Sequence, residues 1–294
     1  MGGGKVPREA GRVHNRNMPK RRPALIAAVA GLAVLMLATS PAMAATATIV
    51  RKVTTDRKVI ALTFDDGWSP TRSARIAAIL DQYGATGTFF PYSNAADDAP
   101  DVWRSIARRY PIANHTVTHA KLTRLTASQI YTEINRARIV MESITGRPMV
   151  RIFRPPYMAY NTTVLEQSYK AGFKIMALWS VDSGDALGVT DSQFYNRAIG
   201  GHAGGIVLMH AGPAVTVRNL ARVITYYKNH GFTFVTLPKL LGMPWSPATT
   251  ISGAEVPDIG TVGATCDCTE PEQVWLVSQE TYFRQSSYLR AVPD

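Results

Sequence analysis

The stretch TFDDGW, residues 63–68, decides the fold because it places two adjacent carboxylates between a strand and a helix. Residues 58–64 (KVIALTF) form an apolar run that predicts a buried strand. Residues 69–71 (SPT) offer a hydroxyl cap and a proline, which predict a helix start. Catalytic groups gather at this end of parallel strands. Because Asp65 and Asp66 repel one another, the pair indicates a shared cation or proton.

Strand-like and helix-like patterns alternate about seven times between residues 57 and 242. Predicted strands lie at 58–64, 86–90, 111–114, 151–154, 173–180, 205–210 and 232–237, and predicted helices at 73–83, 102–110, 126–144, 161–171, 191–199 and 215–229. This alternation predicts a parallel β/α barrel or an open wound sheet. With 294 residues and 46% apolar content, the chain can bury a sizeable core in one large domain.

The N-terminal segment has the layout of a secretory signal peptide. The basic residues 20–22 (KRR) precede an apolar run at 24–38, and a small-x-small pattern follows at 42–44. The run is shorter than the roughly 20 residues of a spanning helix, so an uncleaved anchor is the second interpretation. We therefore expect cleavage near Ala44, membrane contact only during export, and a protein that is secreted or associated with the cell wall.

The charge distribution and composition of the chain indicate which partners and which domains to expect. The formal net charge of +11 is concentrated in residues 1–44, and the rest of the chain is mildly basic. An anionic polymer such as cell wall could be attracted, whereas no arginine-rich or aromatic-interleaved patch favours nucleic acid. Residues 45–56 form a lead-in, residues 57–242 the main domain, and residues 245–294 a tail or small annex. A monomer is expected.

The two cysteines, Cys266 and Cys268, lie in this tail, far from the predicted site. A bridge across one intervening residue would be strained, and no second pair completes a zinc site. Thiol catalysis is therefore not expected.

A second motif, NHTVTH at residues 114–119, carries two imidazoles four positions apart. If this segment is a helical turn, both rings face the same way, and Asn114 could cap it. Two histidines and one carboxylate form a ligand set for catalytic zinc or another divalent metal. A single histidine would more often be structural, but this pair together with the Asp65-Asp66 pair predicts a metal site.

Three further polar clusters follow predicted strands, at RPPY (154–157), WSVDSGD (179–185) and LMH (208–210). An arginine can hold a carboxylate, and a backbone N–H beside the prolines could meet an oxyanion. Any one cluster could be a cap or a turn. Five of them at strand ends instead predict one shared site.

These motifs, in this order and spacing, resemble the polysaccharide deacetylase family, also called carbohydrate esterase family four or the chitooligosaccharide-deacetylase homology domain. The resemblance covers roughly residues 57–242. It implies a distorted (β/α)7-type barrel with a metal site at the C-terminal ends of the strands. It also implies metal-dependent hydrolysis of N- or O-acetyl groups on a polysaccharide such as peptidoglycan, chitin or xylan.

Carried over residue by residue, the resemblance implies a role for each site residue. Asp66, His115 and His119 would bind the metal, most often Zn²⁺; Asp65 would be the general base and His210 the general acid; Arg154 would hold Asp65 and Asp182 would tune His210; the Tyr157 backbone N–H would meet the oxyanion, and Leu208 would line the acetyl pocket. Separately, Trp68 could stack on a sugar ring or pack internally.

Four positions depart from the family pattern, and one of them is Ala211, which follows His210 where an acidic residue is commoner. Gly184 and Ala186 stand where the family often has an arginine and a tryptophan, and Met158 replaces the usual glycine. The missing tryptophan affects one wall of the acetyl pocket, so a related hydrolase of a small amide or ester is an alternative. A non-catalytic carbohydrate-binding relative and a non-haem iron oxygenase are further alternatives. The intact Asp65, His210 and metal ligands argue against the first, and the adjacent Asp65, the distant His210 and an oxidising exterior argue against the second.

Overall fold

A computed structural model of the chain describes residues 1–2 and 44–247. The predicted apolar leader, the two cysteines and most of the predicted C-terminal annex lie outside the described residues. Among the described residues, no helix combines the length and apolar character that crossing a bilayer requires.

Eight parallel strands form the centre of the domain. They are β1 (Thr48–Val50), β2 (Val59–Asp66), β3 (Gly87–Pro91), β4 (Ile152–Phe153), β5 (Ile175–Ala177), β6 (Val181–Asp182), β7 (Gly205–His210) and β8 (Thr233–Phe234). One sheet has the order β1-β5-β4, and the other has the order β3-β2-β7-β6 with β8 also paired to β2.

Within residues 44–247, eight α-helices lie between these strands or after the last of them. They are α1 (Pro70–Gln82), α2 (Ser93–Asp97), α3 (Pro100–Ala107), α4 (Ala127–Thr145), α5 (Thr162–Lys170), α6 (Asp191–Ala198), α7 (Ala214–Asn229) and α8 (Leu237–Leu240). Short 3₁₀ turns lie at Leu122–Arg124, Pro156–Met158 and Asp185–Leu187.

Strand β2 is buried along its whole length and organises the larger sheet. It pairs with β3 over Leu62–Asp66 and with β7 over Ile60–Asp65, while its first two residues pair with β8. In this register Asp65 lies beside His210. Two side chains 145 positions apart in the sequence therefore meet at the same edge of the sheet.

The two sheets are joined through residues 112–114, which make isolated parallel bridges from Ile112 to Phe89 in β3 and from Asn114 to Phe153 in β4. The strands do not form a closed ring within residues 44–247. The result is the distorted, interrupted β/α architecture that the resemblance implies, and this prediction is confirmed.

Local sequence patterns predicted most helices well. Helix α4 begins at the predicted cap, where Thr126 and Gln129 form a reciprocal capping box, and ends at Gly146 in the left-handed conformation. Helix α2 was not predicted, because five small and polar residues have no helical periodicity.

The predicted strand at 173–180 is wrong in extent, because it divides into β5 and β6. The side chain of Arg154 donates hydrogen bonds to the carbonyls of Ala177 and Leu178 at the division. Because these two carbonyls accept from the guanidinium, the backbone hydrogen-bond ladder between the strands is interrupted there. The predicted strand at 111–114 is likewise reduced to the two isolated bridges.

Candidate active site

Three side chains form a compact cluster where β2 ends. An oxygen of Asp66 lies 3.2 Å from Nε2 of His115 and 3.0 Å from Nε2 of His119. All three potential ligand atoms lie within 4.8 Å of one another. Asp66 and His115 are buried, and His119 is half-buried, so the cluster opens on one side only.

The protonation pattern of this cluster fits a bound cation. Nδ1 of His115 lies 2.8 Å from the carbonyl oxygen of Arg154. A carbonyl only accepts, so Nδ1 donates to it, and in that tautomer the Nε2 lone pair is available to a metal. Asp66 Oδ1 faces that lone pair and is buried without a hydrogen-bond donor among the described residues. A divalent metal between these acceptors would satisfy all of them.

The charge on Asp66 is favoured despite its burial. Burial by itself raises the pKa of this carboxyl group, but the neighbouring imidazoles of His119 and His115 and the charge of His210 outweigh it. The pKa of Asp66 therefore lies well below its usual range. The carboxylate is ionised at neutral pH, as a metal ligand must be.

The segment that carries the two histidines is a loop, so the predicted helical turn is wrong. Thr116 and His119 have φ angles of 74° and 58°, in the left-handed region. The Asn114 side chain accepts from the Thr116 N–H over 2.9 Å, and the Thr116 hydroxyl accepts from the His119 N–H over 3.1 Å. These side-chain bonds replace helical backbone bonds, and the imidazole rings still come within 5.0 Å of each other.

Asp65 faces the cluster from the other side and is held by Arg154. The Arg154 guanidinium donates to Asp65 Oδ1 over 2.6 Å and to the Thr63 hydroxyl over 3.0 Å. Arg154 is fully buried and its charged carbon lies 4.2 Å from the centre of the Phe90 ring. The other oxygen of Asp65 remains 4.0 Å from Nε2 of His115.

His210 is paired with Asp185, and the sequence prediction that Asp182 tunes it is corrected. His210 Nδ1–H donates to Asp185 Oδ1 over 2.7 Å, and the His210 backbone N–H donates to Oδ2 over 2.7 Å. Asp185 also accepts from the Thr216 hydroxyl over 2.5 Å and from the Ala186 N–H over 3.0 Å. This buried carboxylate has a donor on each lone-pair side, so its position is well defined.

The pairing determines the protonation state of His210. Burial lowers the pKa of this imidazole, but the charge and hydrogen bond of Asp185 raise it more, with smaller contributions from Asp66 and Asp65. The net result is a pKa of about 10. His210 is therefore an imidazolium at neutral pH, with its Nε2–H free to donate.

Asp182 lies at the cleft instead of against the imidazole. Its carboxylate accepts from the Gly184 N–H over 2.8 Å, which forms a tight turn. Burial of the carboxyl group raises its pKa. Asp185 was the second acid of the same motif, and the sequence offered no signal for choosing between them.

The cluster opens into a cleft of about 520 Å³. Its lining comprises Arg51, Asp65, His115, His119, Lys121, Thr123, Pro155, Tyr157, Met158, Ala159, Tyr160, Trp179, Asp182, Leu208 and His210. The cleft thus contains the predicted base, acid and acetyl-pocket residue, and Met158 at the position that departs from the family. Arg51 and Lys121 were not predicted, because a lone basic residue carries no spacing signal.

Tyr157 and Trp68 have different surroundings from one another. Tyr157 has a φ of 60°, lines the cleft, and its hydroxyl lies 3.0 Å from Nδ1 of His119. Burial and the charge of Asp66 raise the pKa of Tyr157 to about 12, so this hydroxyl stays protonated. Trp68 does not line the cleft, and its ring packs so closely on Gly212 that a Cβ there would overlap it. The half-buried Trp68 ring therefore packs against the connection after β7, and its stacking on a sugar stays a prediction.

Comparison with known proteins agrees with this geometry. A model of the polysaccharide deacetylase family matches residues 52–176. A chitooligosaccharide deacetylase from Bradyrhizobium sp. is 30% identical over 195 residues, which span 61% of this chain and 89% of that protein. This chain belongs to the polysaccharide deacetylase family. A peptidoglycan-N-acetylglucosamine deacetylase from Bacillus cereus is 29% identical over 196 residues, which span 65% of this chain and 91% of that protein.

One similar solved structure is derived from a pseudoenzyme. This structure is of a mutant of BA3943, a carbohydrate esterase family 4 pseudoenzyme from Bacillus anthracis, and the mutant has restored enzymatic activity. It superimposes on this chain with a TM-score of 0.62 and is 25% identical to it. The match covers 67% of this chain and 72% of that chain. Membership of the family therefore does not by itself decide catalysis. The family match also ends before Asp185 and His210, whose arrangement comes from the structure.

Proposed function

We propose that this chain is a secreted, metal-dependent hydrolase that removes N-acetyl, or O-acetyl, groups from a polysaccharide. The observation that carries the proposal is the placement of a base and an acid at the ends of two neighbouring strands. Asp65, held through one oxygen by Arg154, points its other oxygen at the metal-ligand cluster. On the next strand its register partner His210 is held as an imidazolium by Asp185. A base and an acid therefore face one cleft.

Asp66, His115 and His119 would hold the metal, and Zn²⁺ suits this donor set. When bound, such a metal supplies Lewis-acid polarisation of the acetyl carbonyl and lowers the pKa of water to about 7. Asp66 contributes its ionised carboxylate, and the two imidazoles contribute Nε2 while their Nδ1 atoms are engaged elsewhere.

Asp65 acts as the general base. The guanidinium of Arg154 donates to one oxygen of its carboxylate, and the carboxylate accepts a proton from the attacking water through the oxygen that Arg154 leaves unoccupied. A positioned base or acid contributes about 10²–10⁴-fold to rate. Because Arg154 is fixed by two backbone carbonyls, the base has one orientation.

His210 acts as the general acid. Its Nδ1–H is engaged by Asp185, so Nε2–H donates to the leaving nitrogen, or to the leaving oxygen of an ester. The bond between the acetyl carbon and that atom breaks, and acetate and a free amine or hydroxyl are the products. Leu208 and the backbone N–H of Tyr157 would hold the acetyl methyl and the developing oxyanion.

The names of the relatives and the N-terminal sequence support the proposed substrate and location. Relatives are named as deacetylases of peptidoglycan and chitooligosaccharides, and one as a bifunctional xylanase/deacetylase. Peptidoglycan lies outside the cytoplasmic membrane, where the predicted signal peptide would deliver this chain. We therefore place peptidoglycan first among the three polymers.

The test is acetate release by the purified, zinc-loaded protein from peptidoglycan, chitooligosaccharides and acetylated xylan in parallel. The controls are a chelated sample and Asp65→Asn, which keeps the size of the side chain but removes the base. We expect release from at least one polymer, reduced about 10²–10⁴-fold by Asp65→Asn. A protein that binds zinc but releases no acetate from any polymer would contradict the proposal. Release from small amides or esters only would favour the alternative hydrolase.

A further inference from the structure

The loop that presents the two histidine ligands, residues 114–119, has an unfavourable backbone. Thr116 and His119 are both in the left-handed region, which non-glycine residues adopt rarely. Such conformations are strained and persist only where the surrounding structure holds them. The group that holds this backbone therefore helps to determine the geometry of the metal site.

A single carboxylate on helix α4 accepts hydrogen bonds from both Val117 and Thr118. Glu133 Oε2 accepts from the backbone N–H groups of Val117 and Thr118, each over 3.0 Å. Glu133 Oε1 accepts from the Thr118 hydroxyl, also over 3.0 Å. The carboxylate thus contacts the two residues immediately before His119, although it lies 14 positions further along the chain.

The same loop is held on its other side by backbone groups. The N–H groups of Ser93 and Asn94, at the start of α2, donate to the carbonyls of Thr116 and Val117. The Asn114 side chain donates to the carbonyl of residue 134, next to Glu133 on α4. The loop carbonyls are therefore satisfied by α2, and its central N–H groups depend on Glu133.

We propose that Glu133 is a positioning residue for the metal site, which fixes the backbone between His115 and His119 without contacting either imidazole. The inference rests on the proposed metal-dependent function. Removal of Glu133 leaves two N–H groups and one hydroxyl without their acceptor. The loop then relaxes toward more favourable dihedral angles, and the two Nε2 atoms lose their fixed separation.

The role is one of hydrogen-bond geometry, so it can be separated from charge. In Glu133→Gln the amide oxygen can still accept from both N–H groups, and the amide nitrogen can donate to the Thr118 hydroxyl. Glu133→Asp keeps the negative charge but is one methylene shorter. Positioning by hydrogen bonds therefore predicts that Gln is tolerated and that Asp and Ala are not.

The experiment measures Zn²⁺ affinity by competition with a chromophoric chelator, using the full chain at one fixed pH. Glu133→Ala, Glu133→Asp and Glu133→Gln are compared with the wild type. Glu142→Ala is the matched control, because Glu142 lies on the same helix and also accepts a backbone N–H, from Met149. Melting temperatures of the metal-free proteins report on folding separately.

We expect Glu133→Ala and Glu133→Asp to weaken Zn²⁺ binding by about 10–100-fold, the usual effect of losing an outer support of a metal ligand. Glu133→Gln should stay within about threefold of wild type, and Glu142→Ala should change stability but not affinity. Should Glu133→Ala fail to fold, Glu133→Asp carries the comparison.

Three results would overturn the inference. Unchanged affinity in a folded Glu133→Ala or Glu133→Asp variant would remove the positioning role alone and leave the proposed function standing. Equal losses in the Gln and Ala variants would show that charge acts, not hydrogen bonding. A wild-type protein without zinc affinity would overturn both the proposed function and the inference.

Discussion

At the scale of single residues, two acids of one motif have separate tasks. Asp185 holds the imidazole of His210, while Asp182 lies at the cleft and caps a turn. His210 must be protonated to act as an acid, so activity should fall as the pH rises through its pKa. Because Asp185 raises that pKa, removing its charge should move the loss of activity to lower pH.

We therefore expect Asp185→Asn to shift the basic limb of the pH profile of kcat/KM downward by about 1–3 units, the usual effect of one adjacent opposite charge. Asp182→Asn is the control, and should leave the position of that limb within a few tenths of a unit. An equal or larger shift in Asp182→Asn would restore the tuning role that the sequence suggested for it.

The sequence identified residues where the chemistry is local. The adjacent carboxylates at 65–66 and the histidines four apart are recognisable because their spacing is short and their types are unusual together. Asp185 could not be preferred to Asp182, because the choice depends on Gly184, whose φ of 71° turns the chain between them. Glu133 had no signal at all, since its partners are two backbone N–H groups and one hydroxyl on residues 15 and 16 positions away.

At the scale of elements, helices with local caps were predicted and strand limits were not. Thr126 and Thr190 begin α4 and α6 with capping boxes, which depend on residues three positions apart. The division between β5 and β6 depends instead on the Arg154 side chain from another strand. Long-range side-chain bonds to backbone leave no periodic pattern in the sequence that would mark the division.

The connection between β7 and α7 is packed against the one after β2. A Cβ atom at Gly212 would lie 2.1 Å from Trp68 Cε2, so Gly212→Ala must displace the indole. We expect a loss of about 1–3 kcal/mol in the free energy of unfolding, as for other overpacked sites. Urea unfolding followed by tryptophan fluorescence measures it.

A double-mutant cycle provides the control. In the Trp68→Ala background the alanine at 212 meets no indole, so its cost should fall to a few tenths of a kcal/mol. An unchanged cost would show that the strain lies in the backbone of the connection. Trp68→Phe should also leave KM for polysaccharide unchanged if the ring only packs.

At the scale of the whole molecule, charge distribution bears on the choice of polymer. Residues 44–247 contain 23 Lys and Arg against 13 Asp and Glu, a balance of +10. The net positive charge of residues 45–294 is smaller than this value, because the last 47 residues are acidic. Arg51 and Lys121 bring part of the positive charge to the cleft. A glycan that carries carboxylates should therefore be attracted to the site, while a neutral glycan should not.

We expect kcat/KM for peptidoglycan to fall as salt is raised from 0.05 to 0.5 M, because exposed charges are screened beyond about 8 Å at 0.15 M. The value for neutral chitooligosaccharides should stay nearly constant over the same range. Arg51→Gln combined with Lys121→Gln should lower the peptidoglycan value several-fold at low salt, since each exposed ion pair contributes about 0.2–1 kcal/mol. It should also flatten the salt dependence, with chitooligosaccharide turnover as the internal control. Equal salt dependence for both polymers would show that the basic surface does not select the substrate, and the preference for peptidoglycan would then lose its electrostatic support.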